Sequence, residues 1–265
     1  MSHEKTGLSG KVETEVALII RDHAEQTAQK LAHLFAILDC PLVHRRSLTI
    51  RDTYFDTESR FFTRNRITFR IRRSGHGTTL SAKSSPRKIS GGETSRVEIE
   101  KPWSYQSLAS ITEKLGLKPP SKQLFTQSAS SPSRILTKAG FFIVQDRLTR
   151  RKSRDLVMIR KGKTSRFAEL SIDNVTYKLT EGTVRLIEVE IEAKASRAMP
   201  RIRPVVDWLL SEYPSLRLWP HGKFVTGLAI NRLLRNRNRR DLTREGLVKP
   251  GVFGLLDRTI REGSL

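Results

Sequence analysis

Residues 66–84 read RITFRIRRSGHGTTLSAKS, and their alternation decides the fold class. Side chains repeat every two residues along a strand, so Arg70 and Arg72 share one face while Ile71 points the other way. Ser74-Gly75-His76-Gly77 then supplies a turn. TTLSAKS resumes the same period, with Ser81 and Lys83 on one face, and the two runs read as a β-hairpin. Similar runs lie on both sides. KVETEVALII (11–20) and SLTIRDTYF (47–55) precede the hairpin, and SRVEIEK (95–101) follows a Gly91-Gly92 loop. Farther on come FFIVQDRLTRR (141–151), DLVMI (155–159), RFAELSID (166–173) and VRLIEVEIE (184–192), with Gly162 and Gly182 as turn markers. About eight antiparallel strands in succession close into a barrel, which leaves no unpaired edge. The expected fold is mainly β (α+β): an antiparallel eight-stranded closed β-barrel with flanking helices.

The helices are expected between the strands. Asp22 and Glu25 offer a helix start, and Ala24, Ala28, Leu31, Leu34 (or Phe35) and Leu38 recur at helical spacing up to Cys40-Pro41. Tyr105–Leu115 is a second helix, after which KPPSKQLFTQSASSPSR (118–134) reads as a long surface loop. Met199–Tyr213 is helical and carries Val205, Val206, Trp208, Leu209 and Leu210. A last helix runs from Lys223 to Leu234, and RNRNRRDLTR (235–244) beyond it shows little periodicity. The expected organisation is one domain over residues 1–234 and a solvated basic tail over 235–265.

With 49 Lys and Arg against 27 Asp and Glu, the formal charge of the 265 residues is +22, which calls for a polyanionic partner. Nucleic acid, polyphosphate, nucleotide and an anionic membrane surface all qualify. The longest apolar stretches, Val16–Ile20 and Leu34–Leu38, fall far short of the roughly 18 residues that span a bilayer. The opening MSHEKTGLSGKVETE has no apolar signal core, so a cytoplasmic location is expected. The single cysteine, Cys40, excludes an internal disulfide and a cysteine zinc site, and the six histidines form no HExxH pair. GLSGK (7–11) lacks the remaining residues of a phosphate-binding loop. Trp208 and Trp219 read as core residues, and His33 as a helix histidine without a ligand role.

The informative pattern is which charged residues share a strand face. Glu13 pairs with Glu15, Arg70 with Arg72, and Ser81 with Lys83; Arg96, Glu98 and Glu100 form a row, as do Arg147, Thr149 and Arg151. Glu169, Ser171 and Asp173 form another, then Glu188, Glu190 and Glu192. Val12, Ile71, Val97, Ile99, Leu170, Ile172, Val189 and Ile191 occupy the opposite faces and are expected to be buried against helices. A single such strand is a solvated outer face. Repeated strand after strand in a closed barrel, the pattern makes a dense lining of both signs, and each desolvated ion costs several kcal/mol unless it is paired. A divalent metal and a polyanion would together satisfy both signs, carboxylates binding the metal and Arg and Lys the phosphate oxygens.

These residues resemble the CYTH superfamily, or triphosphate tunnel metalloenzymes, from about Lys11 to Leu228. Its members include inorganic triphosphatases, thiamine triphosphatases and class IV adenylate cyclases. Glu13-Thr14-Glu15-Val16-Ala17 is similar to the opening Glu-x-Glu-x-Lys motif. RDTYFDTESRFFTRNRITFRIRR is similar to the D-x-Y-F-D-T tract and basic strand, with Tyr54, Arg70 and Arg72 in matching places. Lys83 matches the next strand's lysine, and Arg96, Glu98 and Glu100 the R-x-E-x-E row. RFAELSID, IEVEIE and HGKFVTGL resemble the later motifs, the last through Lys223.

The resemblance implies hydrolysis of a linear triphosphate, inorganic or organic, with Mg²⁺ or Mn²⁺. Glu13, Glu15, Glu98, Glu100, Glu188 and Glu190 would hold metal and orient the attacking water, with Lys83 also catalytic. Arg70, Arg72, Lys83, Arg96, Arg147, Arg151, Lys223 and Tyr54 would bind the substrate. Ala17 stands where the family has a lysine that helps hold phosphate or activate water, and Lys11 is the nearest substitute on that face. His221 stands where the closing segment often has a small polar residue. The alternatives are an adenylate cyclase and a weakened polyphosphate- or RNA-binding module. The basic tail would add nonspecific, salt-sensitive attraction to nucleic acid. The oligomeric state is left open, a dimer included.

Overall fold

The computed structural model describes residues 10–89, 92–126, 131–195 and 198–263. Gly91, residues 127–130 of the Pro/Ser-rich stretch and Gly7–Ser9 of the GLSGK segment lie outside them. The period-two runs form eight strands: β1 Lys11–Ile20, β2 Leu48–Thr57, β3 Ile67–Ser74, β4 Gly77–Ser84, β5 Glu93–Pro102, β6 Phe141–Arg160, β7 Lys163–Leu179 and β8 Gly182–Ala193. Their hydrogen-bonded order is β1-β5-β4-β3-β2-β6-β7-β8, and β8 pairs back onto β1. This closes an eight-stranded antiparallel barrel, as the sequence leads one to expect. The β3–β4 hairpin ends on the pair Ser74 and Gly77, whose φ of 104° suits glycine.

The chain divides into two compact units. One comprises the chain up to Glu13, Ile50–Arg87 and Arg96–Arg147. Its apolar core gathers Phe55, Phe62, Phe69, Ile71, Leu80, Leu108, Ile111 and Phe141, with the Phe62 and Phe69 rings stacked 4.6 Å apart. Helix α2 (Tyr105–Lys114) follows α1 (Ala24–Ala32) in the chain. Ser104 caps α2 by accepting from the Ser107 backbone N–H, and α2 buries Leu108 and Ile111, one turn apart. Because Phe69 and Ile71 enter this core, Arg70 and Arg72 must face the other way.

The other unit comprises Thr14–Thr49, Lys88–Ser95 and the chain from Leu148 onward. Val16, Leu18, Leu170, Val189 and Ile191 pack with Leu31 of α1 and with Ile202, Val205 and Leu209 of α3 (Met199–Glu212). A second cluster in this unit joins Ile19, Tyr177, Val184 and Trp219 to α4 (Lys223–Asn236) and α5 (Val252–Arg261). Trp219 is buried there, its Nε1–H donating to Thr226 Oγ1 at 3.0 Å, which bears out its reading as a core residue.

Several boundaries differ from the sequence reading, each for an identifiable reason. Helix α1 stops at Ala32 because the apolar residues beyond it do not continue a buried face: Phe35 is 89% exposed, and Leu38 turns with φ 54°. Cys40–His44 instead pairs with β6, setting Leu42 opposite Leu156. The runs at 141–151 and 155–159 are one strand, since Ser153 keeps the inward period and meets Ser171 Oγ at 3.0 Å. Short helices at Gln123–Thr126 and Pro132–Lys138 occupy parts of the expected loop, the latter burying Ile135 and Leu136. Val12, expected to be buried, is 61% exposed.

The stretch after Leu234 is packed. Leu242, Val248, Phe253 and Leu256 are buried, Leu247 pairs in parallel with Arg185 of β8, and α5 lies on α4. Those four apolar positions are too widely spaced among arginines to show one period. Among the described residues no helix is long and apolar enough to cross a membrane.

Candidate functional site

In the first unit, strand register sets the side chains of one face in line. Asp52 lies opposite Arg72, Tyr54 opposite Arg70, Arg70 opposite Ser81, and Lys83 opposite Glu98. At the centre is Asp52, only 1% exposed and gripped by three arginines. Arg72 donates twice to it, at 2.8 and 3.0 Å, Arg147 Nη2 donates at 2.5 Å, and Arg70 Nη1 stands 3.6 Å away. Burial alone would raise this carboxyl, but Arg70, Arg72 and Arg147 outweigh it and hold Asp52 well below the usual range. The Tyr54 hydroxyl accepts from Arg147 at 2.8 Å and Arg70 at 3.3 Å. Burial pushes the phenol up, yet the two guanidiniums carry it lower than an ordinary tyrosine.

Beside this group Lys83 Nζ donates to Glu13 at 2.8 Å and stands 2.9 Å from Glu98, while Arg96 Nε donates to Glu13 at 3.3 Å. The two carboxyls are close enough that a proton on one would be shared with the other as a hydrogen bond. Burial and that shared hydrogen bond raise Glu98 to about 7; Glu13, although burial opposes it, is lowered by Glu98, Lys83 and Arg96. Lys83 is lowered by burial and by Arg96 and Arg70, against the pull of the two glutamates. The backbone here is tight: a Cβ on Gly10 would come within 2.1 Å of the Glu98 carbonyl oxygen. Glu100, on the same strand, is exposed.

The second unit carries a separate cluster. Asp173 lies opposite Glu188 and Ser171 opposite Glu190, and β1 sets Ala17 opposite Glu190. Lys223, the first residue of α4, bonds Asp173 at 3.1 Å, Glu188 at 2.8 Å and Glu190. Tyr177 donates its hydroxyl to the Lys223 carbonyl at 2.9 Å, fixing that helix start. Arg151 makes a fork to Asp173 at 2.7 and 2.6 Å and a bond to Glu190 at 2.7 Å. Burial pushes Glu188 up to about 7, with Glu190 and Asp173 adding to it against Lys223; burial would lower Lys223 itself, but the three carboxylates raise it above its ordinary value. Glu188 is 1% exposed, and its Oε1 has no hydrogen-bond partner among the described residues. Glu15 lies opposite Glu192, which pairs with Lys194 at 2.6 Å.

The structure therefore brings together Glu13, Tyr54, Arg70, Arg72, Lys83, Arg96, Glu98 and Arg147 in one cluster, and Arg151, Glu188, Glu190 and Lys223 in another. Lys11 is exposed; the cations on Ala17's cross-strand partner are Lys223 and Arg151. Two carboxylates were not singled out from sequence as site residues, Asp52 and Asp173. Both had a signal, since Asp52 stands two residues before Tyr54 and Asp173 ends the Glu169-Ser171 row. His221 is also placed: Asp257 of α5 holds its Nε2 at 2.7 Å. Burial lowers this imidazole against the opposing pull of Asp257. Among the described residues no three His, Cys, Asp or Glu side chains form a metal cluster.

A barrel with charged strand faces of this kind defines a class, and the family comparison agrees: the CYTH domain matches residues 11–203. The chain belongs to the CYTH family, which includes triphosphatases and adenylate cyclases. Among solved structures it resembles the putative adenylyl cyclase HpAC1 from Hippeastrum, described as having a dominant triphosphatase activity. That match has 18% identity, a TM-score of 0.52, and covers 83% of this chain and 96% of the other. Putative adenylate cyclases from Bacillus halodurans (15% identity, TM-score 0.45, 81% and 96% covered) and Vibrio parahaemolyticus (14%, 0.45, 83% and 99%) are also similar. No curated protein matches the chain.

Proposed function

We propose that this protein hydrolyses a linear triphosphate, inorganic or carried on an organic group, with the help of Mg²⁺ or Mn²⁺, in the cytoplasm. The observation that carries the reading is the charge of the first cluster. Five cations, Arg70, Arg72, Lys83, Arg96 and Arg147, face three carboxylates, Asp52, Glu13 and Glu98, and Glu98 is raised toward neutrality. A phosphate chain balances that surplus.

In this mechanism Asp52 and Tyr54 hold Arg70, Arg72 and Arg147 in fixed orientations, so little reorganisation is needed as charge moves onto the phosphoryl oxygens. Lys83 and Arg96 neutralise further oxygens. Arg151 and Lys223 are assigned to substrate as well. Mg²⁺ characteristically takes one or two carboxylates and completes its shell with water and substrate phosphate. The Glu13–Glu98 pair fits that demand, and so does Glu188, whose buried Oε1 is short of a partner, with Glu190 beside it. Glu15 is assigned with Glu13, and Glu100 is the weakest of the six because it is exposed. When bound, the metal supplies Lewis-acid neutralisation of phosphate charge.

Ala17 favours a second reading, binding without cleavage. Phosphate release from inorganic triphosphate, with Mg²⁺ and then Mn²⁺, separates the two when the intact chain is compared with Glu13→Gln/Glu15→Gln. Metal-dependent release that disappears in the variant supports hydrolysis. Triphosphate bound in a calorimeter but not cleaved leaves the binding reading, and cyclic AMP with pyrophosphate from ATP replaces both with a cyclase.

A further inference from the structure

We propose that the arginine-rich segment running from the last turn of α4 toward α5 is a docking surface for the phosphodiester backbone of a nucleic acid, independent of the charged clusters above. Arg235, Arg237, Arg239, Arg240 and Arg244 are all exposed. Among the described residues none of these five guanidiniums takes part in an ion pair or hydrogen bond. Other exposed arginines are of both kinds, Arg51, Arg166, Arg203 and Arg261 being matched with Asp146, Asp155, Glu93 and Asp257 and Arg64, Arg134 and Arg160 standing without an ion pair among the described residues, but those are scattered along the chain. Five unmatched like charges within ten residues repel one another and work against the compact state. Asp241 in the same stretch cancels one of the five charges, and among the described residues no ion pair offsets the rest; a polyanion would.

The run is also held in place, unlike a solvated tail. Leu234, Leu242 and Thr243 are buried beneath it, and Arg244 pairs with Leu247. Thr243 Oγ1 donates to the Arg239 carbonyl at 3.0 Å, and Lys249 Nζ to the Arg240 carbonyl at 2.7 Å. A backbone already fixed in this way loses little conformational freedom when a ligand docks.

The pattern favours nucleic acid over the other polyanions. Charges distributed through a helix end, the extended residues Arg237 and Asn238, and a further helical turn suit a polymer of phosphates better than one small anion. Asn236 and Asn238, both exposed, interleave with the arginines and offer amide donors and acceptors to sugar and base edges. Stable anchoring on a lipid surface would call for an apolar wedge or an acyl chain in addition to the basic charge. None of the exposed large apolar side chains falls among described residues 232–263.

The test measures fluorescence anisotropy of a labelled single-stranded RNA and a duplex DNA with the full chain, in saturating inorganic triphosphate and EDTA so that the barrel's own cations are occupied without metal-dependent turnover. Two quintuple variants are compared after a thermal melt confirms folding. One changes Arg235, Arg237, Arg239, Arg240 and Arg244 to Gln; the other removes the same charge from exposed Lys114, Lys118, Lys122, Arg134 and Lys138. At about 100 mM salt the first should lose at least ~10-fold in affinity, and its log–log salt slope on single strands should fall by roughly 3, at ~0.7 per contact. The control should stay within about 3-fold, because sequence-independent attraction follows the contacts made. Binding to RNA, DNA or both supports the proposal and tells which polymer is preferred. Equal loss in both variants, no binding to either polymer, or arginine-dependent capture by phosphatidylserine vesicles in place of nucleic acid overturns it.

Discussion

The two charged clusters arise from the same sequence device, alternate residues on antiparallel strands, and end with opposite balances. Around Asp52 the cations outnumber the carboxylates, and a single buried aspartate orients three arginines. Around Lys223 three carboxylates surround two cations, and Glu188, raised to about 7 chiefly by burial, is pushed further up by Glu190 and Asp173. One arrangement is short of negative charge and the other of positive. A strand-face pattern therefore specifies where charge is concentrated, while the ratio of signs on neighbouring strands specifies what the site lacks.

The contrast can be broken most severely at Lys223. Lys223→Met leaves Glu188 without the one cation paired with it among the described residues, and loss of one partner of a buried pair costs about 3–5 kcal/mol. Urea unfolding at pH 8 should show that loss, and the deficit should shrink at pH 5 as the carboxyls take up protons. Arg147→Leu should cost less, about 2–3 kcal/mol, because Arg70 and Arg72 remain on Asp52. If it proves the costlier of the two, the surplus assigned to the first cluster is wrong. Tyr54→Phe removes only a hydroxyl that accepts from two arginines, and about 1 kcal/mol is expected from the same denaturation curves.

The smallest effect sharpens the comparison through pH. Between about 4.5 and about 7 the folded chain holds the Glu188 proton more tightly than the unfolded chain does. Stability therefore falls as pH rises through that window. Glu188→Gln should flatten the fall in melting temperature over this range, leaving the portion contributed by Glu98, which is raised in the same direction. An unchanged slope would show that Glu188 titrates normally.

Much of this was legible in period-two alternation. Arg70, Arg72, Lys83 and Glu98 follow from it because the apolar partners Phe69, Ile71, Ala82 and Ile99 have only one place to be buried. The single long β6 was harder to read, since Lys152 and Arg154 mask the inward Ser153. The early end of α1 was hidden because Leu34 and Leu38 keep helical spacing, although only Leu34 packs against the core and Leu38 is exposed. Asp52 was overlooked because its importance comes from three arginines, two on β3 and one on β6, and no local pattern records such convergence. The packing of residues 235–263 was obscured for the opposite reason, a few anchors spread through a conspicuous run of charge.

Gly10 has a consequence at the level of the codon. Every single-nucleotide change that replaces a glycine with another amino acid adds at least a methyl group, and here that group would overlap the Glu98 carbonyl oxygen. A relative that acquires a side chain at this position can retain the Glu13–Glu98 carboxyl pair only if the backbone at position 10 or around Glu98 shifts as well. Random mutagenesis should therefore register position 10 as an intolerant site, even though the residue bears no functional group.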